Sequence, residues 1–227
     1  MIENIQAISF DLDDSLWSIG PIIIRAEKII HEHMSEHFPR VTEQFGPDEM
    51  RELRTRVHQS HSHLSHDLSA LRQASLEIML EESGYPRHHS EDLMTMFLDL
   101  RHDVEYFPDV LPALEKLAEK FRIFAISNGN ADVARLGLNC FEGQVSARSE
   151  GVGKPDVQIF HNAARHLQLQ PEQILHVGDH QVEDIGGALE AGMVTAWLNR
   201  QAHSWEQDFE PHHEIANLDE LVELLGC

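Results

Sequence analysis

The sequence predicts an α/β fold: a Rossmann-like parallel sheet with a helical bundle inserted after its first strand. Three observations predict it. Five short apolar runs are mostly continuous rather than alternating, as in strands covered on both faces. Helical patterns separate the last four, which implies parallel pairing. Residues 16–106 hold no convincing strand but four successive helical patterns.

"IQAISF" (5–10) is the first strand, and it ends in Asp11. Helices are then expected over 22–38, 48–59, 69–83 and 90–103, punctuated by Gly46-Pro47, Gly84-Tyr85-Pro86 and Pro108. Gly84 is the expected cap of the third. Ser90 is the expected start of the fourth, with Glu91 and Asp92 in its first turn. "LPALEKLAEKF" (111–121) is a helix leading into the second strand, "FRIFAIS" (121–127). "GQVSA" (143–147) is the third strand. A helix over 156–169 follows Pro155, a good first-turn residue. "ILHVG" (174–178) is the fourth strand, a helix over 183–192 ends at Gly192, and "VTAWL" (194–198) is the fifth strand. "NLDELVELL" (217–225) reads as a last amphipathic helix. The expected division is an α/β core of 1–15 and 107–227 with a helical insert of 16–106.

The 227 residues suffice for one large domain or a domain with an insertion. Seventeen Lys+Arg against 39 Asp+Glu give a net charge of −22. That field repels nucleic acid and anionic lipid surfaces, so neither partner is expected. An anionic substrate would need a metal or a local positive cluster. Two cysteines, Cys140 and Cys227, form no disulfide framework, so a reducing compartment, the cytoplasm, is expected. No signal peptide or membrane span is expected. Monomer and homodimer both stay open.

In an open parallel sheet, ligands bind beyond the carboxyl ends of the strands. After the first strand stand Asp11, Asp13, Asp14 and Ser15. After the second comes "SNGN", with Ser127 and Asn128; beyond the third, "EGVGKP", with Lys154; after the fourth, "GDHQVED", with Asp179 and Asp184. Crowded carboxylates become tolerable around a hard divalent cation. Magnesium takes one or two carboxylates and keeps several waters. Asp11 and Asp179 are natural ligands, with a backbone carbonyl near Asp13. Ser127, Lys154 and the N–H groups near Asp13, Asp14 and Asn128 then suit phosphate oxygens. This is the equipment of phosphoryl transfer. Each piece has a blander reading as a turn residue, an exposed lysine or a helix cap. Four pieces in order, each at a strand end, outweigh those readings.

"DLDDSL", "SNGN", "GKP" and "GDHQVED" resemble the four motifs of the haloacid dehalogenase superfamily, in order. The helical insert is similar to that family's cap, between the first and second motifs. The resemblance implies that Asp11 is a nucleophile forming an aspartyl-phosphate and Asp13 the acid/base. It also implies that Ser127, Asn128 and Lys154 bind phosphate. Asp11, Asp13, Asp179 and Asp184 make up the implied metal set, Asp184 as an outer carboxylate, for Mg2+. The family's motif usually has Thr where this chain has Ser15. Dehalogenases of the family expel halide without a proton and lack an Asp two residues after the nucleophile. The presence of Asp13 therefore favours phosphomonoester hydrolysis over 2-haloacid dehalogenation. Over the whole chain the sequence also resembles bacterial phosphatases of flavin mononucleotide and of a ribitylaminouracil phosphate in riboflavin synthesis. That implies a small phosphorylated metabolite as partner; sugar phosphates and nucleotides are the alternatives. In the insert, His66, Asp67 and Arg72 are candidates for substrate specificity. "HQSHSHLSH" puts His58, His61, His63 and His66 close together, but on a helix they spread over more than half the circumference. A solvated surface is therefore expected there, not a zinc site. His88-His89 and His212-His213 read as loops.

Overall fold

The computed structural model describes residues 4–227. The chain divides into two compact units, Met1–Ser18 with Glu105–Cys227, and Ile19–Val104. The first strand, β1, is Ala7–Phe10, with every residue buried.

The second unit is helical: α1 (Ile19–His37), α2 (Pro39–Gln44), α3 (Pro47–Ser60), α4 (Leu68–Glu82) and α5 (His89–Arg101). Ala26, Ile30 and Met34 of α1 are buried at helical spacing and join Met50, Leu53, Met79, Leu80 and Phe97 in one apolar cluster. Asp67 caps α4 by accepting from the Ala70 N–H at 2.9 Å, and Gly84 follows that helix at φ +76°, where only glycine is unstrained. Ser90 does not start α5. His88 precedes the helix, and the buried Ser90 hydroxyl donates back to the Arg87 carbonyl within the first turn. The four clustered histidines do not share one helix either. α3 stops at Ser60, and Ser62–Leu64 form a separate 3-10 turn.

The first unit continues with α6 (Val110–Ala118), β2 (Arg122–Ser127), β3 (Phe141–Ser146), α7 (Ala147–Glu150), α8 (Val157–Leu167), β4 (Ile174–Gly178), a π-turn at Gln181–Gly186, α9 (Gly187–Glu190), β5 (Val194–Leu198), β6 (His213–Ile215) and α10 (Leu218–Leu225). Among the described residues the strands form one sheet, in the order β3-β2-β1-β4-β5-β6, all parallel. The central strands β1 and β4 are buried throughout, which explains their unbroken apolar runs. Ala7, Phe124, Ile126, Val145 and Ile174 of the sheet pack with Ile159, Phe160, Ala163 and Leu167 of α8. β6 corrects the expectation of a loop at His213: three residues at a sheet edge are too few to show a period. The expected helix over 183–192 is a π-turn followed by one α-helical turn, a geometry that recurs at functional sites. Among the described residues no helix is long and apolar enough to cross a membrane.

Candidate active site

β1 and β4 are neighbours, so Asp11 and Asp179 leave the sheet side by side. The Asp11 N–H extends the ladder, donating to the Val177 carbonyl at 2.9 Å. After it the chain turns back on itself. Asp14 takes φ +61°, its N–H bonds the Trp17 carbonyl at 2.7 Å, and Leu16 N–H bonds the Leu12 carbonyl at 2.8 Å. Leu12, Leu16 and Trp17 are wholly buried and anchor this loop from below. The Trp17 indole donates to Asp13 Oδ1 at 2.9 Å and fixes that carboxylate's orientation.

Lys154 closes the site. Its ammonium lies 2.5 Å from Asp11 Oδ1 and 2.5 Å from Asp184 Oδ1, with 3% of the side chain exposed. Oxygens of Asp11, Asp179 and Asp184 fall within 4.8 Å of one another. A Cβ at Gly178 would overlap the Asp184 carboxyl, so glycine is what lets Asp184 fold beneath the end of β4. Asp184 also accepts from the His180 N–H at 2.9 Å and lies 3.4 Å from His176 Nε2. His176, wholly buried in β4, is held on its other side by the Ser9 hydroxyl at 2.9 Å. Asp179 accepts from the Ser15 hydroxyl at 3.0 Å, and its carbonyl accepts from the Trp197 indole at 2.8 Å.

Burial opposes charge throughout this cluster. It pushes Asp11 well above the usual carboxylate range; Lys154 opposes the rise, while Asp184 and Asp179 add to it. Asp179 is pushed up to about 6 by burial and then by the charge of Asp184. Asp184 goes the other way: burial would raise it, but Lys154 and His176 outweigh burial and keep it ionised. Lys154 is raised, because its two carboxylates outweigh desolvation. Burial lowers His176. One ammonium against three carboxylates leaves two formal negative charges, which a divalent cation matches. The donors are all oxygen, as a hard cation requires.

The structure brings Asp11, Lys154, Asp179 and Asp184 together. Ser127, at the end of β2, is 1% exposed; its Oγ accepts from the Gly129 N–H at 2.9 Å and keeps a proton to donate. The side chain of Asn128 spans the next loop. Its Oδ1 accepts from the Lys154 N–H at 2.7 Å, and its Nδ2 donates to the Lys154 carbonyl and to Glu183, both at 2.9 Å. That leaves the Asn128 backbone, not its amide group, as the part suited to an anion. Sequence reasoning did not single out Ser15 as a partner of Asp179, Asn128 as the clamp on Lys154, or His176 beneath Asp184. Only Ser15 carried a signal, its place directly after the aspartates. In the helical unit, Asp67 is the α4 cap, His66 is half-buried, and Arg72 lies against Glu27 and the Phe97 ring.

The family model of haloacid dehalogenase-like hydrolases matches residues 5–192. The chain belongs to that family. It is 30% identical to the 5-amino-6-(5-phospho-D-ribitylamino)uracil phosphatase YigB of Escherichia coli, over 98% of this chain and 97% of that one. It is 33% identical to a glyceraldehyde 3-phosphate phosphatase of Methanopyrus kandleri, over 92% of this chain and 89% of the relative. A crystal structure described as a 2-haloacid dehalogenase from Pseudomonas syringae pv. Tomato matches at 39% identity and TM-score 0.91, covering 98% of both chains. The proteins this chain resembles are thus named for two different reactions, phosphoester hydrolysis and dehalogenation of a 2-haloacid.

Proposed function

We propose that this hydrolase cleaves phosphomonoesters of small metabolites with Mg2+, through an aspartyl-phosphate on Asp11. The observation that carries the reading is the buried set itself: Lys154 at 2.5 Å from Asp11, inside a group of three carboxylates matched to a divalent cation. Asp11, Asp179 and Asp184, with the backbone carbonyl of Asp13, would hold the ion. Bound there, Mg2+ supplies positive charge against the phosphate oxygens. Ser127 donates its hydroxyl proton to the phosphate, and the Asn128 N–H faces the same group. An Asp11 carboxylate oxygen bonds phosphorus as the ester P–O bond breaks, and Asp13 gives its proton to the leaving oxygen. Asp13 then takes a proton from the water that attacks phosphorus, which restores Asp11 and releases phosphate. Lys154 stabilises the negative charge that gathers on the transferring group.

The near-full-length likeness to YigB supports the phosphorylated ribitylaminouracil as a substrate, and flavin mononucleotide is proposed beside it from the sequence resemblance alone. The helical unit is proposed as the substrate-selecting cap. The free thiols Cys140 and Cys227 fit work in the cytoplasm. A second reading, halide displacement from a 2-haloacid by Asp11, is favoured by the likeness to the Pseudomonas structure and needs no proton from Asp13. Phosphate release from flavin mononucleotide, sugar phosphates and nucleotides with Mg2+, alongside halide release from 2-chloropropionate, decides between them. Phosphate release lost in Asp11→Asn is the expected result. Halide release without phosphate release would overturn the phosphatase reading.

A further inference from the structure

The helical unit contains a cavity of about 430 Å³ between α1, α3 and α4. That lies within the ~300–1,000 Å³ of small-molecule sites and far exceeds the ~30 Å³ a water occupies. Ile30, Met34, Met50 and Met79, all buried, line it; methionines adapt to differently shaped apolar guests. The charges around it are basic in a chain of net −22. Lys28 has Glu32 at 3.9 Å and Arg51 has Asp48 at 2.9 Å, so each has its own acid. Arg54 and Arg72 share one. Glu27 Oε1 lies 2.7 Å from Arg54 and 3.5 Å from Arg72, whose side chains are only 23% and 17% exposed. One carboxylate between two guanidiniums leaves a positive charge uncompensated in a largely desolvated place. Burial, and then the charge of Arg54, push Arg72 down to about 10. The Arg72 guanidinium also lies 3.7 Å over the Phe97 ring, which holds its planar fork in place.

We propose that this cavity binds an organic anion, a phosphate ester or carboxylate on an apolar body of aromatic size. The acid group pairs with Arg54 and Arg72, and the body lies on the methionine-lined floor. The same chemistry describes the unreacting part of a substrate and a separate metabolite.

The full-length protein is titrated with 8-anilinonaphthalene-1-sulfonate, an aromatic sulfonate that fluoresces on leaving water. Saturable binding is expected. Arg54→Gln should weaken it about tenfold, the worth of a charge-assisted contact. Glu27→Gln, which frees both guanidiniums, should tighten it severalfold with circular dichroism unchanged, a gain that a damaged fold would not produce. No saturable binding, or variants within about twofold of the wild type, would overturn the proposal. This binding measurement does not depend on turnover. Hydrolysis of p-nitrophenyl phosphate in the presence of the probe separates the two sources. A rise in KM at constant kcat identifies the occupant as the substrate's own body; an altered kcat or no effect identifies a separate ligand.

Discussion

At the carboxyl end of the sheet, Lys154 lies between Asp11 and Asp184 with 3% of its side chain exposed. On the helical unit, the pairs Arg25–Asp103, Lys28–Glu32 and Arg51–Asp48 expose between 45% and 83% of each side chain. Burying an ion costs several kcal/mol even after relaxation, whereas an exposed pair contributes about 0–1 kcal/mol. A fold can be built without the first kind of pair. Its presence where the segments after β1, β3 and β4 meet marks a place where chemistry, rather than stability, selected the residues. The three exposed pairs of the helical unit show the ordinary use of charge, solvated, local and replaceable; the cluster around Glu27 and the buried Arg101 depart from it.

The largest test of this contrast is Lys154→Met, which leaves Asp11 and Asp184 buried without their ammonium. Urea unfolding should show a loss of about 3–5 kcal/mol, and turnover should vanish. Added Mg2+ should recover part of the stability by supplying the missing positive charge. A loss below about 1 kcal/mol would break the contrast.

Asn128→Ala comes next. It removes both hydrogen bonds that fix the Lys154 backbone. Stability should fall by roughly 1–3 kcal/mol. Turnover should fall by about 10²-fold, because a small displacement of a positioned group is costly in rate. The split between the two effects sharpens the reading: a clamp acts on the chemistry more than on the fold.

Much of this was legible in the sequence because apolar runs and strand ends are local features. "ILHVG" and "VTAWL" coincide with β4 and β5 to the residue. Asp11, Ser127 and Asp179 stand out because each ends a strand or directly follows one, and Lys154 because "EGVGKP" lies just beyond the third, past the single turn of α7. What stayed hidden depends on distant pairings. Ser15 meets Asp179 across 164 residues and Asn128 meets Lys154 across 26. His176 looked like one more strand residue in an apolar run, since nothing in "ILHVG" says that Ser9 and Asp184 lie on its two sides. The backbone N–H at Asn128 is expected to face phosphate, but nothing in "SNGN" says that the Asn128 side chain bonds Lys154 and Glu183. β6 was missed because three residues show no period.

Arg200 and Asp109 stand between the two extremes. They are 13% and 11% exposed, with two hydrogen bonds at 2.9 and 3.0 Å. Burial acts to raise Asp109, but Arg200 and the Leu218 N–H outweigh it and hold the carboxyl below its ordinary range. A group depressed on folding contributes stability above its unfolded value, near pH 3.9, and loses it as pH falls through the folded value. Wild type should therefore exceed Asp109→Asn by about 1–2 kcal/mol at pH 7. The gap should close below about pH 4 in parallel urea titrations. A gap that stays constant to pH 3 would assign the difference to packing rather than charge.

The smallest effect is expected at Lys28→Ala. Lys28 and Lys154 carry the same charged group, but Lys28 is 75% exposed and its partner Glu32 is 61% exposed. At i,i+4 with the lysine on the N-terminal side, this pair has the weaker orientation, and alanine is the better helix former. The two influences nearly cancel, so thermal or urea unfolding should shift by no more than about 0.5 kcal/mol in either direction. Raising ionic strength toward ~1 M should erase what remains, since the screening length there is about 3 Å. A loss above ~1 kcal/mol that survives such salt would mean that Lys28 stabilises the helical unit through its alkyl stem, as long charged side chains can along apolar surface. The helical unit's charges would then not be replaceable, and the contrast with Lys154 would rest on burial alone.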